Sequence, residues 1–444
     1  MGRDGVDNGW ITFSNVRIPR TFMMMRFARV DKNGNVTQPP LAQLAYGALI
    51  GGRVSMAADS FQVAKKFITI AVRYGAARRQ FSSEDGQPET KLLDYTYHQR
   101  RLLPLLAYTY AMRTAADGLY DMYYNATEKL ANTNVSDKQG LQSAIEDIKE
   151  LFSLSAGLKA FSTWGCGHII DEARQSCGGH GYSSYNAFGP GYADWIVNTI
   201  WEGDNNVLTL SAGRALVQSG VALRKGKRLG GPVEYLSRSE ELKNAGLGSN
   251  HDSALRDPAT IIKSWESICS QAINSTVDKF LELTQKENLS LTQAFEQLSL
   301  QRFQIARIHT RLYVIRSFFE RVEKTQDGPL KKAVLDVALL FALWSIENES
   351  GIFLKYNFFT PDDLDTITEL VNEYCRKVRV NAIGLTDAFN LSDYYINSAI
   401  GNYNGDFYKS YFEKVTRRNP PEEIRPPYYD SLMRPFFDRT NDEA

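Results

Sequence analysis

Two residue types that build many active sites are scarce here. The 444 residues include four cysteines and five histidines. The cysteines, Cys166, Cys177, Cys269 and Cys375, form no paired framework, which excludes a disulfide scaffold and points to a reducing compartment. Cys166, His168, Cys177 and His180 lie near one another in sequence. However, Cys166 and His168 are two apart in a helical pattern and do not share a face, so zinc is set aside. No paired Glu-x-x-His motifs support a di-iron bundle, and the few histidines have no obvious serine or cysteine partner for a hydrolase triad. Charge of one sign is lacking as well. With 51 basic and 51 acidic side chains, nothing points to nucleic acid or to an anionic membrane. The longest apolar run, "AVLDVALLFALW", is interrupted by Asp336 and is far too short to span a bilayer. The opening "MGRDGVDNGW" has no apolar signal segment, and there is neither an internal repeat nor a low-complexity tract. The composition reads as a soluble intracellular protein of two or three domains.

Aromatic residues, by contrast, are plentiful, with 23 Tyr and 23 Phe suited to large buried helix contacts. "GWITFSNVRIPR" alternates, is rich in β-branched residues, and predicts one or two strands. From Leu41 the period becomes helical. One pattern runs to Gly75, a second from Leu92 to Leu130 with a kink expected at Pro104, and a third from Lys138 to Ser176, ended by Gly178 and Gly179. A fourth begins at Asp204, a good N-cap, and runs to Arg224. Four such helices predict an antiparallel bundle. Residues 226–257 read as a polar, glycine-bearing linker or wrapping segment, and helical patterning resumes at Pro258. The proline-rich tail, "RRNPPEEIRPPYYDSLMRPFFDRT", reads as extended chain against a surface.

Three stretches carry candidate chemistry. "YGAARRQF" ends the first helix with Arg78 and Arg79. These either stabilise a helix C-terminus by about 0.3–1 kcal/mol or hold a phosphate on a guanidinium fork. "RQSCGGHGYSSYNAFGPGY" is either a glycine-rich helix exit or a backbone surface open to an anion; it is not a dinucleotide fingerprint. In "IWEGDNNVL", Glu202 is either an incidental turn residue or a proton acceptor set beside a helix start, where backbone N–H groups polarise a carbonyl.

Taken together, "DNGWITFSNVRIPR", "QPPLAQLAYGALIGGR", "IAVRYGAARRQF", "LLDYTYHQRRLLPLLA", "RQSCGGHGYSSYNAFGPGYAD" and "WEGDNNVL" resemble the peroxisomal acyl-CoA oxidases of the acyl-CoA dehydrogenase superfamily, most closely the fungal ones. The resemblance implies a mainly α fold: a short β remnant at 1–30, a first C-terminal α-domain at 31–225, the linker at 226–257, and a second α-domain at 258–444. It also implies that Glu202 takes the α-proton of a fatty acyl-CoA while a hydride leaves the β-carbon for FAD, with the Glu202 amide helping to hold the thioester oxygen. Dioxygen then reoxidises the flavin, giving trans-2-enoyl-CoA and hydrogen peroxide. Arg78, Gln80 and Phe81, with Gln175, Gly178 and Gly179, match residues that grip FAD across a homodimer interface. Gly203, Asp204 and Asn206 match the segment beside the flavin, and Arg53 matches an arginine near the substrate. No metal is implied.

Relative to the family, the chain is expected to lack an N-terminal helical domain and most of a β-domain. That leaves open an inactive truncated paralogue or a helical dimerisation module without flavin. A dehydrogenase passing electrons to a flavoprotein fits less well, because the second helical half is typical of oxidases. The C-terminal "NDEA" is not an S-K-L address, so a peroxisomal location rests on the resemblance.

Overall fold

The computed structural model describes residues 2–25, 28–38, 47–82, 85–134, 137–248, 251–418 and 425–437. Helix accounts for 74% of the protein, as the mainly α reading required. The first bundle holds helices α1 (Gly47–Ala77), α2 (Thr96–Asn132), α3 (Lys138–Ser176) and α4 (Asn205–Arg224). The expected first turns of α1, residues 41–46, lie outside the described residues. Phe61, Ala64, Phe67 and Ile68 form the buried stripe of α1, against which α2 and α3 pack. Asp137 caps α3 by accepting from the Gly140 amide. Pro104 is buried within α2, and the helix continues across it.

The later half adds α5 (Pro258–Gln285), α6 (Ser299–Glu323), α7 (Pro329–Asn348), α8 (Pro361–Asp387) and α9 (Phe407–Arg418). Helix α6 packs on α2, α3 and α4, and α8 packs on α1 and α2, so one hydrophobic core runs through both halves. Small residues let the halves approach. A Cβ at Gly213 of α4 would lie 2.1 Å from the Arg302 carbonyl oxygen of α6. Arg302 in turn donates to the carbonyls of Phe295 and Leu210, the latter at 2.9 Å. Arg73 of α1 pairs with Asp387 at 2.9 Å and donates to the Gly401 carbonyl at 3.0 Å, fastening the C-terminal segment. Residues 226–257 wrap rather than merely link, because they include a 3-10 segment, Gly231–Arg238, and bury Tyr235, Leu236 and Leu242. Burying each large side chain of this kind contributes about 1.5–3 kcal/mol.

Two expectations fail. "GWITFSNVRIPR" forms no strand; among the described residues the strands are β1 (Arg29–Val30) and β2 (Val36–Thr37), a two-residue antiparallel pair further along. Alternation alone does not make a sheet, since a strand needs partners to satisfy its backbone, and Trp10, Ile11, Phe13 and Ile18 are all exposed. The tail is not simply extended: its described part ends in short helical turns at Tyr429–Met433 and Arg434–Phe437. No helix among the described residues is long and apolar enough to cross a membrane.

Candidate functional site

Glu202 stands between the end of a 3-10 turn, Val197–Thr199, and the start of α4. Its φ is +56° and that of Gly203 is +105°. A left-handed backbone at a glutamate costs about 1–2 kcal/mol, and such strain is retained where surrounding structure imposes it. Glycine is required next to it, because a Cβ at 203 would lie 2.9 Å from Leu208 Cδ2. This pair of residues turns the Glu202 side chain onto α1. A Cβ at Gly52 would sit 2.6 Å from Glu202 Oε2 and 2.7 Å from its carboxyl carbon, so only a glycine leaves room for the acid. Sequence reasoning gave Gly52 no role.

Arg53 is the next residue of α1. It is buried, its Nε donates to the Glu202 carbonyl at 3.4 Å, and its guanidinium carbon lies 4.6 Å from the Phe152 ring centre. Burial lowers its pKa, and the nearby Glu202 charge opposes that shift. Both residues retain buried atoms with no hydrogen-bond partner, Glu202 Oε2 and Arg53 Nη1. Unmatched buried polar atoms are costly, and at one place they mark a site rather than a packed corner.

Below the turn lies Lys159, a fully buried residue of α3. Its Nζ donates to the Gly203 carbonyl at 2.9 Å and to Asn205 Oδ1 at 2.8 Å. Asn205 Nδ2 donates to Thr163 Oγ1 at 2.9 Å, and that hydroxyl also donates to the Lys159 carbonyl at 2.8 Å. Burial pulls the Lys159 pKa down to about 8, with Asp204 and Glu202 opposing and Arg53 reinforcing the shift. Asp204 is the N-cap of α4, accepting from the amides of Asn206 and Val207 at 2.9 and 3.2 Å. Those two N–H groups, expected to polarise a carbonyl, are therefore already engaged. Among the described hydrogen bonds the Glu202 amide donates to nothing and remains a candidate donor. Trp201 is held by its Nε1 donating to Asn198 Oδ1 at 2.8 Å, and the Arg3 guanidinium lies 4.7 Å from its ring centre.

The other expected residues gather elsewhere. Arg78 follows α1 directly; it donates to Gln80 Oε1 at 2.7 Å and to the Tyr408 hydroxyl. A short antiparallel pairing of 79 with 91 fixes this segment, and the Tyr95 hydroxyl donates to the Gln80 carbonyl at 2.9 Å. Phe81, with φ +59°, is 71% exposed. Gln175 donates to Asp171 Oδ2 at 2.8 Å near the end of α3. Cβ atoms built at Gly178 and Gly179 would meet nothing within 4 Å, so this backbone is open. His180 packs against both Tyr74 and Tyr411, which brings the two segments to the same end of the bundle. From Arg53 to Arg78 the helix advances about 37 Å at 1.5 Å per residue. The structure thus brings Glu202, Gly203, Asp204, Asn206 and Arg53 together at one end, and Arg78, Gln80, Phe81, Gln175, Gly178 and Gly179 at the other.

Comparison with known proteins places both helical halves in one family. The acyl-CoA oxidase C-alpha1 domain family matches residues 46–217, and the acyl-CoA oxidase family matches 257–438. Acyl-coenzyme A oxidase 2 of Yarrowia lipolytica is 56% identical over 443 residues, covering 100% of this chain and 63% of the relative. The crystal structure of acyl-CoA oxidase 1 from the same yeast superposes with a TM-score of 0.92 at 52% identity, covering 100% of this chain and 65% of that one. Acyl-CoA oxidase-1 of Caenorhabditis elegans, complexed with FAD and ATP, gives a TM-score of 0.82 at 27% identity, covering 96% and 62%. The chain thus spans less than two thirds of the length of these relatives. Both helical halves match that family, and the turn bearing the unpartnered acid lies within the first of them: the chain belongs to the acyl-CoA oxidase family.

Proposed function

We propose that this chain carries the proton-abstracting part of an FAD-dependent oxidase that converts fatty acyl-CoA to trans-2-enoyl-CoA and reduces dioxygen to hydrogen peroxide, in the peroxisome. The observation that carries the reading is the Glu202 carboxylate, set over Gly52 with one buried oxygen lacking any partner. An acid in this setting is positioned to take a proton from carbon rather than to brace the fold. The α C–H bond breaks toward Glu202, the β C–H bond breaks as a hydride, and the electron pair left at the α-carbon forms the new double bond. The Glu202 amide is free to donate to the thioester oxygen as negative charge develops there. Bound FAD would supply the acceptor for that hydride and the route by which its two electrons reach dioxygen.

The residues present suit that cofactor in kind. Arg78, Gln80 and Gln175 supply donors, Phe81 an exposed ring, and Gly178 and Gly179 open backbone, while Gly203, Asp204 and Asn206 border the acid. The separation of about 37 Å is longer than one dinucleotide can bridge, which supports a homodimer in which each flavin is held by the distal end of one protomer and the Glu202 end of its partner. Arg53, whose Nε contacts the Glu202 carbonyl, would stand near the substrate beside the base.

The test is the visible absorption spectrum of the purified chain, with released FAD quantified and oxygen uptake followed on adding a long-chain acyl-CoA. About one FAD per chain, in a dimer that consumes oxygen with acyl-CoA, supports the reading. A folded dimer with no flavin and no response would instead identify a helical dimerisation module.

A further inference from the structure

Lys159 takes no part in the reaction proposed above, yet among the described residues it is the ammonium that donates to the turn carrying the acid. It is fully buried within α3, and lysine is almost never buried to that degree without a partner that needs it. Both partners lie in the Glu-Gly-Asp-Asn turn: the Gly203 carbonyl, immediately after Glu202, and Asn205 Oδ1, the first residue of α4. Asn205 is also held from behind by Thr163, one turn along α3 from Lys159. The other side of the turn rests on α1, through Arg53 Nε to the Glu202 carbonyl at 3.4 Å and through contact with Gly52. The charged groups facing the ammonium are Asp204 and Glu202 in the turn and Arg53 on α1.

The turn is strained, with successive positive φ angles at Glu202 and Gly203. Nothing in its own sequence obliges a glutamate to adopt that conformation, so something outside must hold it. The 3.4 Å contact from Arg53 is long for a hydrogen bond, whereas the two made by Lys159 are of ordinary length. Without the ammonium, the part-buried Gly203 carbonyl would lose its donor, and the buried Asn205 amide oxygen would keep only a longer contact from the Thr163 hydroxyl at 3.3 Å. The least costly response would be for the turn to relax and expose them to water. The carboxylate would then leave its place over Gly52.

We propose that Lys159 is a positioning residue, pinning the strained Glu202–Gly203 turn from below so that the carboxylate is held over Gly52. This rests on the reading of Glu202 as the base, but the hold on the turn can be measured whether or not that reading stands. The experiment uses the 444-residue chain, with Lys159→Met, which keeps the length and removes the donors, and Lys159→Gln, which restores an N–H donor without charge. Amide hydrogen exchange and steady-state oxygen consumption with added FAD and a long-chain acyl-CoA are measured on each.

In Lys159→Met, exchange at residues 201–208 is expected to accelerate about tenfold or more while α1 and α2 keep their protection. Turnover should fall about tenfold to a hundredfold, as for a misplaced base, with KM changed by less than about twofold. Lys159→Gln should recover part of both. Unchanged exchange at 201–208, or acceleration spread evenly over the chain, would overturn the proposal. So would a loosened turn with wild-type turnover. If the wild-type chain itself consumes no oxygen, the functional reading fails, and the exchange pattern alone decides the role of Lys159. Should Lys159→Met not fold, Lys159→Gln carries both readings.

Discussion

The two ends of the first bundle solve opposite problems. At the Glu202 end the side chains are packed, the turn is braced from α1 and α3, and the unsatisfied atoms are buried. At the Arg78 end the polar groups face outward and satisfy one another: Arg78 with Gln80 and Tyr408, Gln175 with Asp171. Exposed rings of Phe81, Tyr182 and Phe412 accompany them, beside backbone with nothing over Gly178 and Gly179. One end is preorganised within a single chain, as a proton-moving group has to be. The other is a surface whose hydrogen bonds are partly solvent-exposed, as suits residues that exchange protein partners for a ligand on binding. If the account is right, substitutions at the first end change rate and those at the second change affinity.

The sharpest test of that contrast is Gly52→Ala. Alanine favours a helix interior by up to about 1 kcal/mol over glycine, so α1 itself should not weaken. The new Cβ would nonetheless lie 2.6 Å from Glu202 Oε2 and push the carboxylate aside. Turnover is expected to fall about a hundredfold with the melting temperature unchanged or raised. A variant that loses stability in proportion to activity would erase the distinction. At the far end, Arg78→Ala should weaken FAD binding about tenfold, read by titration of the apoprotein, and leave turnover at saturating flavin nearly intact. Its effect on stability should stay below about 1 kcal/mol, because its partners are exposed or only half-buried.

The smallest expected effect concerns pH. The folded pKa of Lys159, about 8, lies below its ordinary 10.5. Between these values the unfolded chain therefore binds more protons than the folded one, and this group makes stability rise with pH. Denaturant unfolding of the wild-type chain at pH 7.5 and pH 10 should show that rise relative to Lys159→Met. Identical pH dependence in the two would mean that the buried amine does not titrate as its surroundings require.

What could be read in the sequence was what depends on neighbours in the chain. Helix α3 begins after Asp137 and ends before the Gly178–Gly179 pair, and α4 follows its Asp204 cap, because caps and glycine stops act within a few residues. Glu202 was legible as an odd acid in an apolar setting. The alternation of residues 9–20 was misleading, because a strand is completed by residues that may be distant in sequence and the pattern does not reveal whether they are there. Gly52 and Lys159 were invisible for a related reason. Each acquires its role from a contact across the bundle, over 149 positions from Arg53 to Glu202 and 46 from Lys159 to Asn205, and neither sits in a distinctive local pattern. The buried Tyr235, Leu236 and Leu242 show the same effect in a stretch whose polarity left a linker and a wrapping segment equally open.

The central claim is that Glu202 is the base, and Glu202→Gln tests it most directly. Glutamine keeps the shape of the side chain but cannot accept a proton from carbon at neutral pH. Oxygen consumption with a long-chain acyl-CoA would be compared between wild type and variant, each at measured FAD content. The account predicts equal flavin content and turnover reduced by at least about a hundredfold. Turnover within a few-fold of wild type, in a variant that holds the same flavin, would contradict it.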